Sequence, residues 1–397
     1  MAKKTIEDID VKGKKVLVRV DYNVPLDDKL QITNDKRVKA TFPTINYLLN
    51  HGAAVILASH LGRPKGKVVP EMSLRPVAVR LSEEFDKDVI FVNDCVGEEV
   101  EKQAAQLQPG DIMLLENLRF HPEEEKNDSE FAKKLASIAD IAVDDAFGCA
   151  HRGHASNCGV AQYIEMVSGM LMKNEVEFIG KALEEAQHPF VAVIGGAKVS
   201  DKIGVIGNLM EKVDTIIIGG GMAHTFNAAK GLPIGASICE PDKYDLAREL
   251  LKKAEEKGVR FVLPVDAVVA DKFEDNANVK IVDCDAIEDG WQGLDVGPKT
   301  EALFVDAMKG AKTVIWNGPM GVFEFENFKV GTVRMAQIVA QATMEGAVSI
   351  VGGGDSVAAL KKTGLSGKIS HVSTGGGATL EYLEGKAMPG IEALADK

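Results

Sequence analysis

The chain reads as an α/β protein built on parallel sheets that helices cover on both faces. Short β-branched runs alternate with longer amphipathic stretches from one end to the other, and those runs are almost continuously apolar. Glycine clusters follow several of them, at the point where strand gives way to helix. The strand candidates run in order over residues 15–20, 54–59, 88–92, 111–115 and 141–144, then 190–194, 215–218, 260–264, 313–316 and 348–351. Helical patterns fall between them at 37–50, 130–139, 199–212, 241–257 and 329–344.

About ten strands are many for one open sheet, and 397 residues suit two or three domains at roughly 100–200 residues each. The expected division falls in residues 171–189, between a domain of residues 1–170 and another of residues 190–384. Residues 170–183 carry a helical pattern that Pro189 closes, which makes the connector a stiff helix and not a Gly/Ser linker. A crossover helix within a single domain is the other reading of this segment.

Composition narrows the function. Lys plus Arg number 46 against 59 for Asp plus Glu, a net charge of −13, which argues against a general nucleic-acid binder. A local basic pocket for a small anion is still compatible. The opening residues turn acidic without an apolar stretch, and no apolar run approaches the length of a membrane span, so a cytoplasmic location is expected. Cys95, Cys149, Cys158, Cys239 and Cys284 are widely spaced, with no C-x-x-C pair, and read as free thiols.

The two halves differ in chemistry. Seven of the ten arginines lie in the first: Arg19, Arg37, Arg63, Arg75, Arg80, Arg119 and Arg152. Asp21 and Asn23 follow the first strand, His60 and Arg63 the second, Arg119 the fourth, and Arg152 the fifth. Residues just beyond the carboxyl ends of parallel strands form the ligand edge of such sheets. Arg37 heads a helix, where free amides also favour anions. Guanidinium forks, imidazole and an Asp-x-Asn on one rim suit a small ligand with phosphate or carboxylate groups and hydroxyls. Arg75 and Arg80, within a helical pattern, read as surface or packing residues. His151 and His154 lack the Glu of H-E-x-x-H, so anion contact or loop packing is the better reading than metal.

The second half holds the glycines. Gly195-Gly196-Ala197-Lys198-Val199-Ser200-Asp201-Lys202 follows a strand and opens a helix, so Lys198 and Lys202, four apart, are expected on one helical face. Gly352-Gly353-Gly354-Asp355-Ser356 repeats the arrangement, and Asp355 could cap the helix or hold Mg²⁺ beside a polyphosphate. Thr374-Gly375-Gly376-Gly377-Ala378 is a third instance. Neither G-x-x-x-x-G-K-[ST] nor G-x-G-x-x-G is present, and three glycine loops in one half favour nucleotide phosphate binding.

These segments, together with Val18-Arg19-Val20-Asp21-Tyr22-Asn23-Val24-Pro25, Ser59-His60-Leu61-Gly62-Arg63-Pro64, Glu116-Asn117-Leu118-Arg119-Phe120, Ala150-His151-Arg152 and Trp316-Asn317-Gly318-Pro319-Met320-Gly321-Val322-Phe323-Glu324, resemble the phosphoglycerate kinases through essentially the whole chain. Tyr22 stands where Phe is usual, and Ser356 where some members have Thr. The resemblance implies two doubly wound, Rossmann-like domains joined by a helical hinge, with residues 385–397 packing back on the first. It implies 3-phosphoglycerate or 1,3-bisphosphoglycerate on the first domain, touched by Asp21, Asn23, Arg37, His60, Arg63, Arg119 and Arg152. It implies Mg-ADP or Mg-ATP on the second, at Lys202, Gly220, Gly221, Gly293, Pro319, Glu324, Gly353, Gly354, Asp355 and Ser356. Asp355 would serve the metal, Arg37 and Lys198 would stabilise the transferring phosphoryl group, and the protein would act as a monomer on hinge closure. A non-catalytic phosphometabolite-binding protein would explain the arginine rim but leave Lys198, Lys202 and Asp355 without a purpose. A dehydrogenase would need the missing dinucleotide fingerprint.

Overall fold

A computed structural model describes residues 2–397. The chain divides into two compact units, one of Met1–Glu177 with Ala387–Lys397, the other of Phe178–Lys386. The helix Met170–Glu184 runs from the first into the second, and the division falls inside it.

The first unit is a sheet of β1 (Lys15–Arg19), β2 (Ala54–Ala58), β3 (Val89–Phe91), β4 (Ile112–Leu114), β5 (Ile141–Asp144) and β6 (Met166–Ser168), in the order β3-β4-β2-β1-β5-β6. Every pairing is parallel. β2 is buried along its whole length, which is why its sequence, Ala-Val-Ile-Leu-Ala, does not alternate. One core joins Val16, Val18, Val55 and Leu57 to Ile45 and Leu48 of the helix Phe42–Asn50. The C-terminal residues close this unit: Ala395 donates to Met166 O and Gly390 to Ala150 O, both at 2.8–2.9 Å.

The helix expected over 37–50 is two helices, Lys36–Lys39 and Phe42–Asn50. Pro43 has no N–H to return to Lys39 O, so the first turn ends and a second helix starts with Pro43 in its opening turn.

The second unit carries β7 (Phe190–Ile194), β8 (Thr215–Ile218), β9 (Arg260–Val262), β10 (Asp266–Ala270), β11 (Val279–Asp283), β12 (Gln292–Val296), β13 (Thr313–Asn317), β14 (Val348–Gly352) and β15 (His371–Val372). Six of them form a parallel sheet in the order β15-β14-β13-β7-β8-β9. Trp316 on β13 is fully buried among Val191, Val314, Met335 and Val351, and its Nε1 donates to Gly318 O at 2.7 Å.

The remaining three, β11-β10-β12, make a separate antiparallel sheet that sequence patterning missed. β11 alternates exposed and half-buried residues, so it lacks the continuous apolar run that marks its parallel neighbours.

Among the described residues, no helix is long and apolar enough to cross a membrane, and all five cysteines are free. Buried aspartates complete several helix starts. Asp145 accepts from Leu171 N at 2.9 Å and Met172 N at 3.2 Å, at the head of Met170–Glu184. Asp266, 1% exposed, accepts from Lys299 N, Thr300 N and Thr300 Oγ1 at 2.6–2.9 Å, at the head of Pro298–Met308. Asp266→Ala should lower the unfolding free energy by about 1–3 kcal/mol, because buried donors lose their acceptor; Asp266→Asn, which keeps one oxygen, should lose less. Urea titration of both variants reads the difference.

Candidate active site

In the first unit, the loops leaving β1, β2, β4 and β5 are stitched into one rim. Arg37 Nη1 lies 3.0 Å from both carboxylate oxygens of Asp21 and donates to Asn23 O at 3.1 Å. Asn23 Oδ1 accepts from Gly62 N at 2.9 Å, and Arg119 Nη1 donates to Gly62 O at 3.0 Å. Asn117 holds that last loop by donating to Leu61 O and accepting from Arg119 N. Arg152, half-buried, donates from Nε to His151 Nε2 at 3.0 Å. Arg63 is exposed in the loop after β2. His60 and Arg119 are buried, whereas the Arg37 side chain keeps 42% of its surface open.

Burial, with the charges of Arg19, Arg119 and Arg37 around it, holds His60 well below the ordinary imidazole range, so the ring is neutral at physiological pH. His154 is pushed down to about 3, by burial first and then by Arg19, Arg119 and Arg152. Donor atoms of Asp21, His60 and Cys149 lie within 4.8 Å of one another, but the Arg19 guanidinium donates to both His60 Nδ1 and Cys149 Sγ. A cation there would meet a fixed positive charge and occupied lone pairs, so these three residues do not make a metal site.

Sequence reading missed the residues beneath this rim: Arg19 as a structural centre, Glu124 and Ser156. The signal was available in Val16-Leu17-Val18-Arg19-Val20, because a charge inside a strand buried on both faces demands partners.

In the second unit, a cavity of about 480 Å³ is lined by Gly220, Gly221, Gly293, Pro319, Glu324 and Asp355, among others. Its walls come from the loops after β7, β8 and β13 and from β12 itself, so Gly293 reaches the site on the antiparallel sheet. Gly220 has φ of +70°, and a Cβ there would lie 2.6 Å from Gly196 O and 2.9 Å from Pro319 O. Three backbone loops therefore press together at a place only glycine can occupy. His224, buried beside the cavity, has Nε2 3.1 Å from Gly293 O.

Lys202, Gly353 and Ser356 gather around Asn317 and Gly318. Lys202 Nζ donates to Asn317 Oδ1, the Ser356 hydroxyl accepts from Gly318 N at 2.5 Å, and a Cβ on Gly353 would come 3.2 Å from the Asn317 amide. Burial lowers the Lys202 pKa, while Asp201, Asp355 and Glu384 oppose that shift. Gly354 has open space where a Cβ would stand.

Two expectations need correction. Lys198 and Lys202 do not share a helical face, because the helix is Ile203–Leu209. The Ser200 N–H and hydroxyl both go to the Glu240 carboxylate, and Gly196 O accepts from Met222 N, so helical bonding before residue 203 is diverted at both ends. Lys198 is left exposed on a loop. Asp355 does not cap its helix: the N-cap of Gly354–Lys362 is Gly353, with no side-chain cap bond, and Asp355 is an exposed first-turn carboxylate.

Two α/β units built on parallel sheets, one with a guanidinium-rich rim and the other with a glycine-walled cleft, define a two-unit α/β protein with a polar, loop-built edge on each sheet. A family model described as phosphoglycerate kinase matches residues 6–386. A phosphoglycerate kinase of Moorella thermoacetica is 57% identical over 397 residues, 100% of each chain. A cytosolic phosphoglycerate kinase of Triticum aestivum is 57% identical over 391 residues, covering 98% of this chain and 97% of that one. The solved structure of phosphoglycerate kinase from Coxiella burnetii is similar at a TM-score of 0.91 and 44% identity, over 98% of both chains. The chain belongs to the phosphoglycerate kinase family.

Asp295 lines the same cavity and accepts from Val296 N and Gly331 N at 2.8–2.9 Å, yet burial raises its pKa to about 7. The folded state therefore binds this proton more tightly than the unfolded chain does. Its contribution makes stability fall as pH rises from about 4 to about 7. Asp295→Asn should remove that part of the slope, measured as unfolding free energy against pH from roughly 4 to 8.

Proposed function

We propose that the protein catalyses reversible phosphoryl transfer from 1,3-bisphosphoglycerate to ADP, giving 3-phosphoglycerate and ATP. The observation that carries this reading is the gathering of Gly220, Gly221, Gly293, Pro319, Glu324 and Asp355 on one cavity of the second unit, in a chain of this family. Its volume, about 480 Å³, suits a nucleotide-sized ligand. On this reading the cavity takes the nucleotide, with Glu324 at the ribose and the Lys202, Gly353, Gly354 and Ser356 group at the phosphates. The first-unit rim takes phosphoglycerate: Asp21 and Asn23 its hydroxyl end, Arg37, His60, Arg63, Arg119 and Arg152 its anionic groups.

Mg²⁺ fits Asp355, an exposed hard-oxygen donor on the cavity wall within electrostatic reach of Lys202. When bound, the metal offsets the negative charge of the nucleotide phosphates.

The two oxygens that exchange the phosphoryl group, a carboxylate and a β-phosphate oxygen, are already anions at neutral pH. No general base is required, and the barrier lies in bringing anions into line. Arg37 keeps its donors on Asp21 and Asn23 while presenting open surface, and Lys198 stands free on its loop. Both would clamp the migrating group, which calls for closure about the connecting helix to bring the ligands together and exclude water. The enzyme would work as a cytoplasmic monomer.

The test is a coupled assay for ATP formed from 1,3-bisphosphoglycerate and ADP; absence of ATP would refute the proposal. Arg37→Ala should lower kcat by roughly 10²–10³ with little change in the KM for ADP, since the charge it meets is greatest in the transition state. Asp355→Ala should raise the Mg²⁺ concentration needed for half-maximal rate, and an unchanged Mg²⁺ curve would remove it from the metal site.

A further inference from the structure

Arg19, at the carboxyl end of β1, is 2% exposed, and its guanidinium is fully engaged. Nη1 donates to Val20 O, Nε to Ser156 Oγ at 2.8 Å, and Nη2 to His60 Nδ1 at 3.2 Å and to Cys149 Sγ at 3.6 Å. Ser156 passes the contact on: its hydroxyl donates to Glu124 Oε1 at 2.5 Å and its N–H to Glu124 Oε2 at 3.0 Å. Glu124 is fully buried one hydroxyl away; burial raises its pKa, while Arg19 and the two Ser156 hydrogen bonds oppose that shift. A planar fork held at three corners cannot rotate, so the direction of the Nη2–H bond is set by the fold.

A guanidinium donates and never accepts. The nitrogen facing it must therefore carry a lone pair. We propose that Arg19 is a positioning residue that holds His60 in the tautomer protonated on Nε2, so that the imidazole serves bound phosphoglycerate as a neutral N–H donor. This rests on the reading above that His60 belongs to the phosphoglycerate site.

The surroundings agree with that tautomer. Arg19, Arg37, Arg119 and His154 all act on the ring, and Asp21 and Cys149 stand within 4.8 Å of it. Protonating His60 would add a further cation among three guanidinium groups. The Cys149 thiol, raised to about 11 by burial, stays uncharged and does not offset them. Arg37 is drawn off by Asp21, which leaves that carboxylate committed to another partner. A lysine at position 19 would keep the charge but radiate its three donors from one point, whereas Arg19 meets Ser156, Val20 O and His60 Nδ1 from three separate nitrogens of a planar fork.

The test uses full-length protein labelled with ¹⁵N-histidine, with the His60 signals identified by their loss in His60→Gln. Across about pH 5.5–8 the wild-type ring should stay protonated on Nε2 alone, with no titration. In Arg19→Lys the ring should show mixed tautomers and begin to titrate toward the ordinary value of about 6.5. The KM for 3-phosphoglycerate should rise roughly tenfold, the equivalent of one hydrogen bond, and become pH-dependent, while kcat changes less. In a His60→Gln background the same substitution should add less than about twofold, because its effect runs through the missing ring. A wild-type His60 that titrates in this range or carries its proton on Nδ1 overturns the proposal, even if Arg19→Lys fails to fold. An equal KM effect in both backgrounds overturns it as well. Failure of the wild type to turn over phosphoglycerate would instead strike the functional reading, and the wild-type spectrum would still decide the tautomer.

Discussion

Parallel strands leave their sheet at one edge, and every crossover helix begins there with amide groups that lack an intrahelical acceptor. That constraint organises both units. Three buried aspartates meet the same need at helix starts, one of them a crossover: Asp295 accepts from the amides that open Val330–Met344 between β13 and β14, while Asp145 and Asp266 do so for Met170–Glu184, which joins the units, and for Pro298–Met308, which leaves the antiparallel β12. Burial makes such carboxylates expensive to ionise, which is why Asp145 and Asp295 sit at about 6 and about 7 despite their backbone donors. The helix start at Gly354, by contrast, has no side-chain cap and open space beside it.

The two units meet that edge with different chemistry. The first concentrates guanidinium charge and must support it from below, through Glu124 and Ser156 under Arg19 and through Glu125, 3.4 Å from Arg119. The second brings three loops into backbone contact, with Gly196, Gly220 and Pro319 forming a wall. The first edge is lined by charged forks, and the second by a close backbone wall beside apolar Ile238 and Val322.

Each candidate strand of the chain is a strand; for the central ones, such as β2, β7 and β13, burial on both faces leaves a continuous apolar run that needs no partner to be read. The antiparallel sheet β10–β12 was not legible for the opposite reason: β11 is half exposed, and its pairing joins segments whose polar residues break any pattern. Residues placed after strands by sequence do lie in the loops beyond those strands. Their mutual distances were not readable, since Arg37 reaches Asp21 only through the fold of a loop with Asn23. The loop at Lys198 was misread as helix because Glu240, forty residues away, takes the Ser200 donors.

Local patterning was enough for the alternation of strand and helix and for the stations of the polar residues along the chain, since each depends on burial period and on residues adjacent in sequence, while the family came from the resemblance of whole motif segments. The partner of each charge was a matter for the folded chain. Arg19 finds Ser156 and His60, and Lys202 finds Asn317, only where separate strands bring them together. In a buried site the direction of a hydrogen bond, and with it the protonation of an imidazole, follows from neighbours distant in sequence.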